Sequence, residues 1–303
     1  MDGAFRAWAA GGVQQPLRAV VPLPAGLFFV MPAVMGPFAG VKTLTQLPAN
    51  ALAGRPVIQG MVILFDASTG EPRALLDAAS LTAIRTAAVS ALATRHMARD
   101  DAHVLAILGS GVQARTHLDA ISTVRDVREI RVWSRSPERS RAFADSVVSA
   151  QQSVQLSVQR CDSARDAVRG ADIVCCVTAS SVPLLASADL ADGTHVNAVG
   201  AHNPATRELD GTTIARSRFI VDSRDAALAE SGELRLGVAE GAFAEAHVAG
   251  ELGDVVTGRI AGRLNERELT VFKSLGLAME DVAAAAAVFE AACASSDAVW
   301  VEL

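Results

Sequence analysis

A chain of 303 residues, half of them hydrophobic and 20% charged, has the balance of a globular protein and length enough for two domains. Its net charge of −6 argues against nucleic acid as the main partner, because neutralising phosphates favours a basic surface. Tyrosine is absent, which excludes any mechanism that needs a tyrosine proton donor.

The first residues, MDGAFRAWAAGG, lack the basic segment and apolar run of a secretory signal. The apolar stretch at 27–35 is short and interrupted by Pro32, so it cannot span a bilayer. Both features predict a cytoplasmic protein with no membrane partner. Residues 27–30, 40–44 and 60–66 read as strands joined by turns containing Pro and Gly. A helix over 81–99 follows, and its small residues Ala83, Ala87, Ala88 and Ala91 permit close packing against another helix or a subunit.

From residue 103 the pattern changes to strands alternating with helices. Residues 103–108 (HVLAIL) predict a strand, 111–124 a helix, 129–134 a strand and 137–150 a helix with Pro137 in its first turn, where a missing N–H costs nothing. Further strands are predicted at 154–158, 172–178, 194–199 and 218–222, and an alanine-rich helix at 279–294. Such alternation predicts an α/β fold, a parallel sheet with helices on both faces.

The cysteines, Cys161, Cys175, Cys176 and Cys293, form no CxxC pair and no zinc-ligand spacing. Free thiols in a reducing compartment are the expectation, with Cys175 and Cys176 acting as small apolar residues of a buried strand. The histidines form no HExxH or comparable cluster, so no metal is predicted. Lysine occurs only at Lys42 and Lys273, beside 25 arginines. A chain that otherwise uses the broad guanidinium has kept the compact ammonium, whose pKa shifts readily, in two places.

The strand at 103–108 runs into Gly109-Ser110-Gly111-Val112-Gln113-Ala114, and a helix follows. In this G-x-G-x-x-A pattern the first glycine permits a tight turn and the second lets the backbone approach a pyrophosphate. The small third residue lets helix pack on strand. Unpaired N–H groups at the helix start would face the phosphates. About 20–25 residues on, where an NAD site usually carries an acidic residue, stand Ser134, Arg135 and Ser136. Two hydroxyls and an arginine suit a ribose 2′-phosphate, with Arg139 able to assist, so NADPH is expected over NADH.

The segment VGAHNPATREL at 199–209 places His202 between Gly200 and Pro204, either as an acid–base group or as a polar loop residue. Nearby Glu208 and Asp210 read as capping or ion-pairing residues. Together, GVKT at 40–43, LTAIRTAAVSALAT at 81–94, GSGVQA at 109–114, VGAHNPATRELD at 199–210 and VFKSLGLAMEDVAAA at 271–285 occur in one order. That order resembles the ornithine cyclodeaminase/mu-crystallin family from end to end, although family members carry an additional strand and helical turns before the segment corresponding to 2–10.

The resemblance implies a homodimer of subunits that combine a Rossmann-type parallel-sheet domain, 99–277, with an α/β dimerisation and substrate-binding domain built from both chain ends, 1–98 and 278–303. It implies that Arg18, Lys42 and Arg85 receive the substrate carboxylate, with Lys42 also at the reaction centre. It places Thr86, Thr178, Ala179, Ser180, Val199, Gly200 and Ser274 beside the cofactor, whereas Lys273 reads as structural.

In the cyclodeaminases of this family the position of His202 holds an aspartate, the proposed general base. A histidine is neutral or positive near pH 7 and serves poorly as a fixed counter-ion to an iminium. Ketimine reduction needs no such carboxylate, and His202 could donate a proton to the imine nitrogen or order a water. The resemblance therefore implies NADPH-dependent reduction of a small cyclic ketimino acid, Δ1-pyrroline-2-carboxylate or Δ1-piperideine-2-carboxylate, to L-proline or L-pipecolate, with NADH possible. An ornithine cyclodeaminase, an alanine-type dehydrogenase and a non-catalytic binder of nucleotide and carboxylate are the alternatives.

Overall fold

The computed structural model describes residues 1–150, 156–295 and 298–299. The chain separates into two compact units, Met1–Arg85 with Gly276–Leu303, and Thr86–Leu275.

The first unit opens with helix α1 (Asp2–Ala9) and a six-stranded antiparallel sheet. Its strands are β1 (Val13–Gln14), β2 (Ala19–Leu23), β3 (Gly26–Met35), β4 (Phe38–Gln46), β5 (Ile58–Asp66) and β6 (Pro72–Asp77). Strands β1 and β2 both pair with β3, and β3, β4, β5 and β6 then follow in sequence. A two-residue turn joins β3 to β4, with Met35 opposite Phe38 and Gly36 at a φ of +57°, where glycine is favoured.

Side chains alternate across a strand. Gly40, Lys42 and Leu44 of β4 therefore share the buried face, on which the C-terminal helix Ala278–Cys293 packs. Gly40 has no room for more: a Cβ there would lie 2.9 Å from Val282 of that helix. The register Met31–Lys42–Val62–Leu76 sets the Lys42 ammonium stem in an otherwise apolar row. The opposite face leaves Val34, Met61 and Leu75 exposed and carries a groove of about 750 Å³ lined by Trp8, Pro32, Val34, Ala39, Val41 and Phe65.

Helix α2 (Ala78–Met97) starts where the Asp77 carboxylate accepts a bond from Ser80 N at 2.7 Å, an N-cap that satisfies an otherwise orphaned donor. The sequence pattern places this helix three residues later, because it shows the apolar face and not the cap.

The second unit is an eight-stranded parallel sheet. In chain order come β7 (Val104–Leu108), α3 (Val112–Ser122), β8 (Glu129–Trp133), α4 (Pro137–Ala150), β9 (Ser157–Arg160), α5 (Ala164–Val168), β10 (Ile173–Cys176) and β11 (His195–Ala198). Then follow α6 (Gly211–Arg216), β12 (Arg218–Val221), α7 (Arg224–Glu230), α8 (Gly232–Ala239), β13 (Val248–Glu251), α9 (Leu252–Val256) and β14 (Thr270–Lys273). The spatial order is β13-β12-β14-β11-β10-β7-β8-β9.

Strands β7 and β10 are buried on both faces, so 105–108 and 173–176 are continuous apolar runs, whereas β8 alternates, with Ile130 and Val132 buried between the partly exposed Glu129, Arg131 and Trp133. From β7 the chain winds out through β8 to β9 and returns to β10 on the other side. The crevice beyond the C-terminal ends of β7 and β10 is the switch point at which open α/β sheets bind ligands. The strand expected at 154–158 is found as β9, starting at Ser157; residues 151–155 lie outside the described residues. Strands β1, β2, β6, β13 and β14 are not among those expected from the sequence, since each is an edge or a two-to-six-residue run without a clear period. Among the described residues, no helix is long and apolar enough to cross a membrane.

Candidate active site

The glycine turn stands at the switch point. Gly109, at a φ of +130°, donates from its N–H to Trp133 O at 2.8 Å, and a Cβ on it would meet Val177 O at 2.7 Å. This turn therefore needs glycine both for its dihedral and for the close approach of the chain leaving β10. Gly111 differs: a Cβ there would point into open space, and α3 begins at the next residue. The turn thus presents bare backbone and the N–H groups of Val112 and Gln113 to whatever binds there, while Ala114, whose N–H donates to Gly111 O at 3.1 Å, packs fully buried against the sheet. This cradle fits a dinucleotide pyrophosphate.

Ser110 Oγ donates to Ser134 Oγ at 3.1 Å, so the glycine turn is tied to the end of β8. Ser134 Oγ in turn donates to Ser136 O at 2.9 Å, and Ser136 Oγ caps α4 by accepting from Arg139 N at 3.3 Å. With both hydroxyls engaged, Arg135 and Arg139 are the exposed cations at this strand end.

At the ends of β10, β11 and β14 lies a network of buried charge. Glu208 Oε1 accepts from Thr178 N at 2.8 Å and Thr178 Oγ at 2.6 Å, and its Oε2 accepts from Gly200 N at 2.7 Å. Glu208 N donates to Glu233 Oε1 at 3.0 Å. Lys273 Nζ lies 2.9 Å from Glu233 Oε2 and donates to Ala201 O. Burial pushes the Glu208 carboxyl above the usual carboxylate range, and the Thr178 hydroxyl opposes it. Asp210, by contrast, caps α6 by accepting from Thr213 N at 2.7 Å. His202 is half-buried and directly follows the Ala201 carbonyl held by Lys273. Val199 N donates to Cys176 O, and Ser274 N to Ala198 O, so both sit at these strand ends. Thr86 is buried on α2.

The carboxylate-binding candidates lie in the first unit. Lys42 Nζ donates to Asp281 Oδ1 at 2.8 Å and lies 3.4 Å from Thr82 Oγ. Arg85 donates to Glu280, and its Nε lies 3.2 Å from Asp281 Oδ1. Burial and the neighbouring Arg85 guanidinium lower the Lys42 ammonium to about 8, with Asp281 opposing them. Arg18 is half-buried one residue before the Ala19–Val30 pair, a step from the Met31–Lys42 row.

Glu280 and Asp281 were not expected here. Their place in the first turn of the C-terminal helix favours negative charge at a helix start, but only the folded chain brings them to Lys42 and Arg85. The scarcity of lysine was the one sequence signal. Both lysines prove to be fully enclosed in ion pairs, Lys42 at 1% exposure and Lys273 at 0%.

Residues 1–296 match the ornithine cyclodeaminase/mu-crystallin family. A Δ1-pyrroline-2-carboxylate reductase of Bacillus cereus is 37% identical over 294 residues, which cover 95% of this chain and 89% of the relative. A ketimine reductase mu-crystallin of Rattus norvegicus is 40% identical over 284 residues, 92% of this chain and 86% of the relative. Among solved structures, a Thermococcus litoralis Δ1-pyrroline-2-carboxylate reductase in complex with NADH and L-proline superposes with a TM-score of 0.93 at 34% identity, covering 97% of this chain and 91% of that one.

Proposed function

The chain belongs to the ornithine cyclodeaminase/mu-crystallin family, and from that premise we propose that it is an imine reductase that uses a nicotinamide cofactor. Its substrate is a small cyclic ketimino acid, Δ1-pyrroline-2-carboxylate or Δ1-piperideine-2-carboxylate, and its product L-proline or L-pipecolate. The observation that carries this reading is the bare backbone of Gly111 at the start of α3, a cradle for a pyrophosphate at the sheet's switch point. When bound, the cofactor supplies the hydride that reduces the C=N carbon.

The chain's residues do the rest. The N–H groups of Val112 and Gln113 receive the pyrophosphate, and Arg135, with Arg139 able to assist, receives a ribose 2′-phosphate, which favours NADPH over NADH. Lys42 keeps three N–H donors, and Asp281 and Thr82 engage two of them, leaving a donor for the substrate carboxylate beside Arg85 and Arg18. His202 donates a proton at the imine nitrogen or orders the water that does. A carboxylate at its position would favour cyclodeamination; the histidine supports plain reduction.

We assign substrate binding and dimerisation to the first unit and nucleotide binding to the second. The apolar residues Val34, Met61 and Leu75, exposed on one face of the first unit's sheet, support pairing with a second copy of the chain. The buried thiols of Cys175 and Cys176, which burial raises, suit a reducing cytoplasm.

Absorbance of NADPH in the presence of purified protein and each ring-size imine tests the reading, with L-ornithine plus NAD⁺ as the control for ammonia release. Loss of NADPH with no ammonia from ornithine is the expected result. Ammonia release without imine reduction would overturn it in favour of a cyclodeaminase. Binding of NADPH without its oxidation by any imine would leave a non-catalytic binder.

A further inference from the structure

Glu208 uses its carboxylate in a way that local spacing does not suggest. One oxygen accepts two bonds from Thr178, at 2.8 Å and 2.6 Å, and the other accepts from Gly200 N at 2.7 Å. Thr178 lies just past β10 and Gly200 just past β11, and these strands are parallel neighbours. A single side chain thus joins two adjacent loops at the C-terminal edge of the sheet. The loops are in hard contact at this point, since a Cβ on Gly200 would collide with Thr178 O.

The join is itself held from behind. Glu208 N donates to Glu233 Oε1, Glu233 Oε2 meets Lys273 Nζ, and Lys273 donates to Ala201 O. All three ionisable groups are fully buried. Burying such groups is costly, and apolar replacements often serve stability as well or better. Their retention at a ligand-binding strand edge points to positioning. The neighbours of the joined residues are the ones that reach outward: Ala179 is exposed and His202 is half-exposed, while Thr178 and Gly200 are bonded inward.

We propose that Glu208 is a positioning residue for the nicotinamide half of the cofactor, setting the Thr178–Ser180 turn and the Gly200–His202 segment at one mutual spacing. This rests on the reading of those loops as cofactor contacts. A carboxylate is required because it alone offers acceptors to three donors and no donor in return. Glutamine has nearly the same shape but turns an NH₂ group toward either Gly200 N–H or the Thr178 donors.

The adenine half of the cofactor is held elsewhere, by the glycine turn and Arg135, so the two halves can be measured apart. Full-length wild type and Glu208→Gln are titrated with NADPH, with NADH, and with ADP-ribose and its 2′-phosphate, which lack the nicotinamide. Imine reduction by NADPH gives kcat and KM. In the variant, NADPH binding weakens and kcat falls about tenfold or more, while the ADP-ribose ligands bind within about twofold of wild type. Equal loss for both ligand types, or no loss for either, overturns the proposal and leaves Glu208 as a structural brace.

Thr178→Val removes one donor without touching the carboxylate and shows the same selective loss, and Thr178→Ser restores binding. This pair decides the matter by the same criterion where Glu208→Gln does not fold. Failure of the wild type to bind either dinucleotide refutes the cofactor reading itself, and it needs no variant to be seen.

Discussion

Lys42 and Asp281 form a buried ion pair, Nζ to Oδ2 at 2.7 Å, although 239 positions separate them in the chain. One comes from the middle of an antiparallel strand and the other from the first turn of the last helix. Removing one partner of such a pair strands a charge away from water. Asp281→Ala is therefore expected to cost about 3–5 kcal/mol in chemical denaturation. The double variant Lys42→Met with Asp281→Leu leaves no stranded ammonium, so it is more stable than Asp281→Ala while lacking imine reduction. A loss below about 1 kcal/mol for Asp281→Ala would show that the pair behaves like an exposed one.

The same burial gives Lys42 a titration within reach of experiment. Its ammonium is lowered to about 8, chiefly by desolvation. Below that pH it is charged and, in the proposed reading, receives the substrate carboxylate; above it the charge is lost. Hence kcat/KM for the imino acid falls as pH rises through about 8, a limb that reports the free enzyme. Lys42→Arg keeps its charge throughout, so whatever activity it retains lacks this limb. A limb that persists in the arginine variant belongs to another group.

Gly276 sets the place of Arg85. It lies at a φ of +85°, and a Cβ on it would sit 2.5 Å from Arg85 Nη1 and 2.8 Å from Nη2. The guanidinium lies against the bare Cα, so any side chain displaces it. Gly276→Ala is expected to raise the KM for the imino acid about tenfold through a misplaced guanidinium. It should also cost about 1–2 kcal/mol of stability from the left-handed backbone. An unchanged KM would mean that Arg85 takes no part in holding substrate.

The parts of this architecture that the sequence reveals are those encoded by neighbours. A strand, a glycine turn and a helix follow one another between residues 103 and 124, so β7, the turn and α3 are readable from local pattern. Composition pointed to the two lysines. What could not be read is the pairing of distant segments. β14, a four-residue strand, inserts between β11 and β12, and its Lys273 thereby meets Glu233 of α8. Glu208 and Asp210 look alike in the motif RELD, yet Asp210 caps its own helix while Glu208 reaches across two loops. Spacing distinguishes neither role, because only the strand order decides which donors stand nearby.

The proposed preference for NADPH rests on the end of β8, where Arg135 and Arg139 are exposed and 134–136 carry no carboxylate, the nearby Glu138 accepting from Ser136 Oγ at 2.9 Å. Arg135→Asp removes a charge-assisted partner of the 2′-phosphate and supplies an acceptor for a 2′-hydroxyl. The ratio of kcat/KM for NADPH over NADH should drop about tenfold or more. If the ratio stays put, Arg135 is a solvated loop charge and another group reads the ribose.

His117 gives the fold an acid limit close to the nucleotide turn. Its ring is buried, with Nδ1 2.8 Å from Gln113 O and Nε2 2.9 Å from Ser90 Oγ. A carbonyl can only accept, so Nδ1 carries the proton and Nε2 accepts from the serine hydroxyl: the imidazole is neutral. Burial lowers it from 6.5 to about 4. Because the folded value lies below the unfolded one, the unfolded chain takes up the proton first, and stability drains away as pH falls from 6.5 towards about 4. Between pH 7 and pH 5 the wild type should lose about 2 kcal/mol more than His117→Gln, read from urea denaturation at both pH values. His195, lowered to about 3 by its own burial, titrates in both proteins and cancels in the difference. Equal losses would mean that His117 is already charged in the folded state. Ser90 belongs to α2 and Gln113 to the first turn of α3, so protonating this ring loosens the helix that presents its N–H groups to the cofactor. Dinucleotide affinity should therefore hold between pH 7 and pH 5 and weaken only as pH falls through about 4, more in the wild type than in the variant.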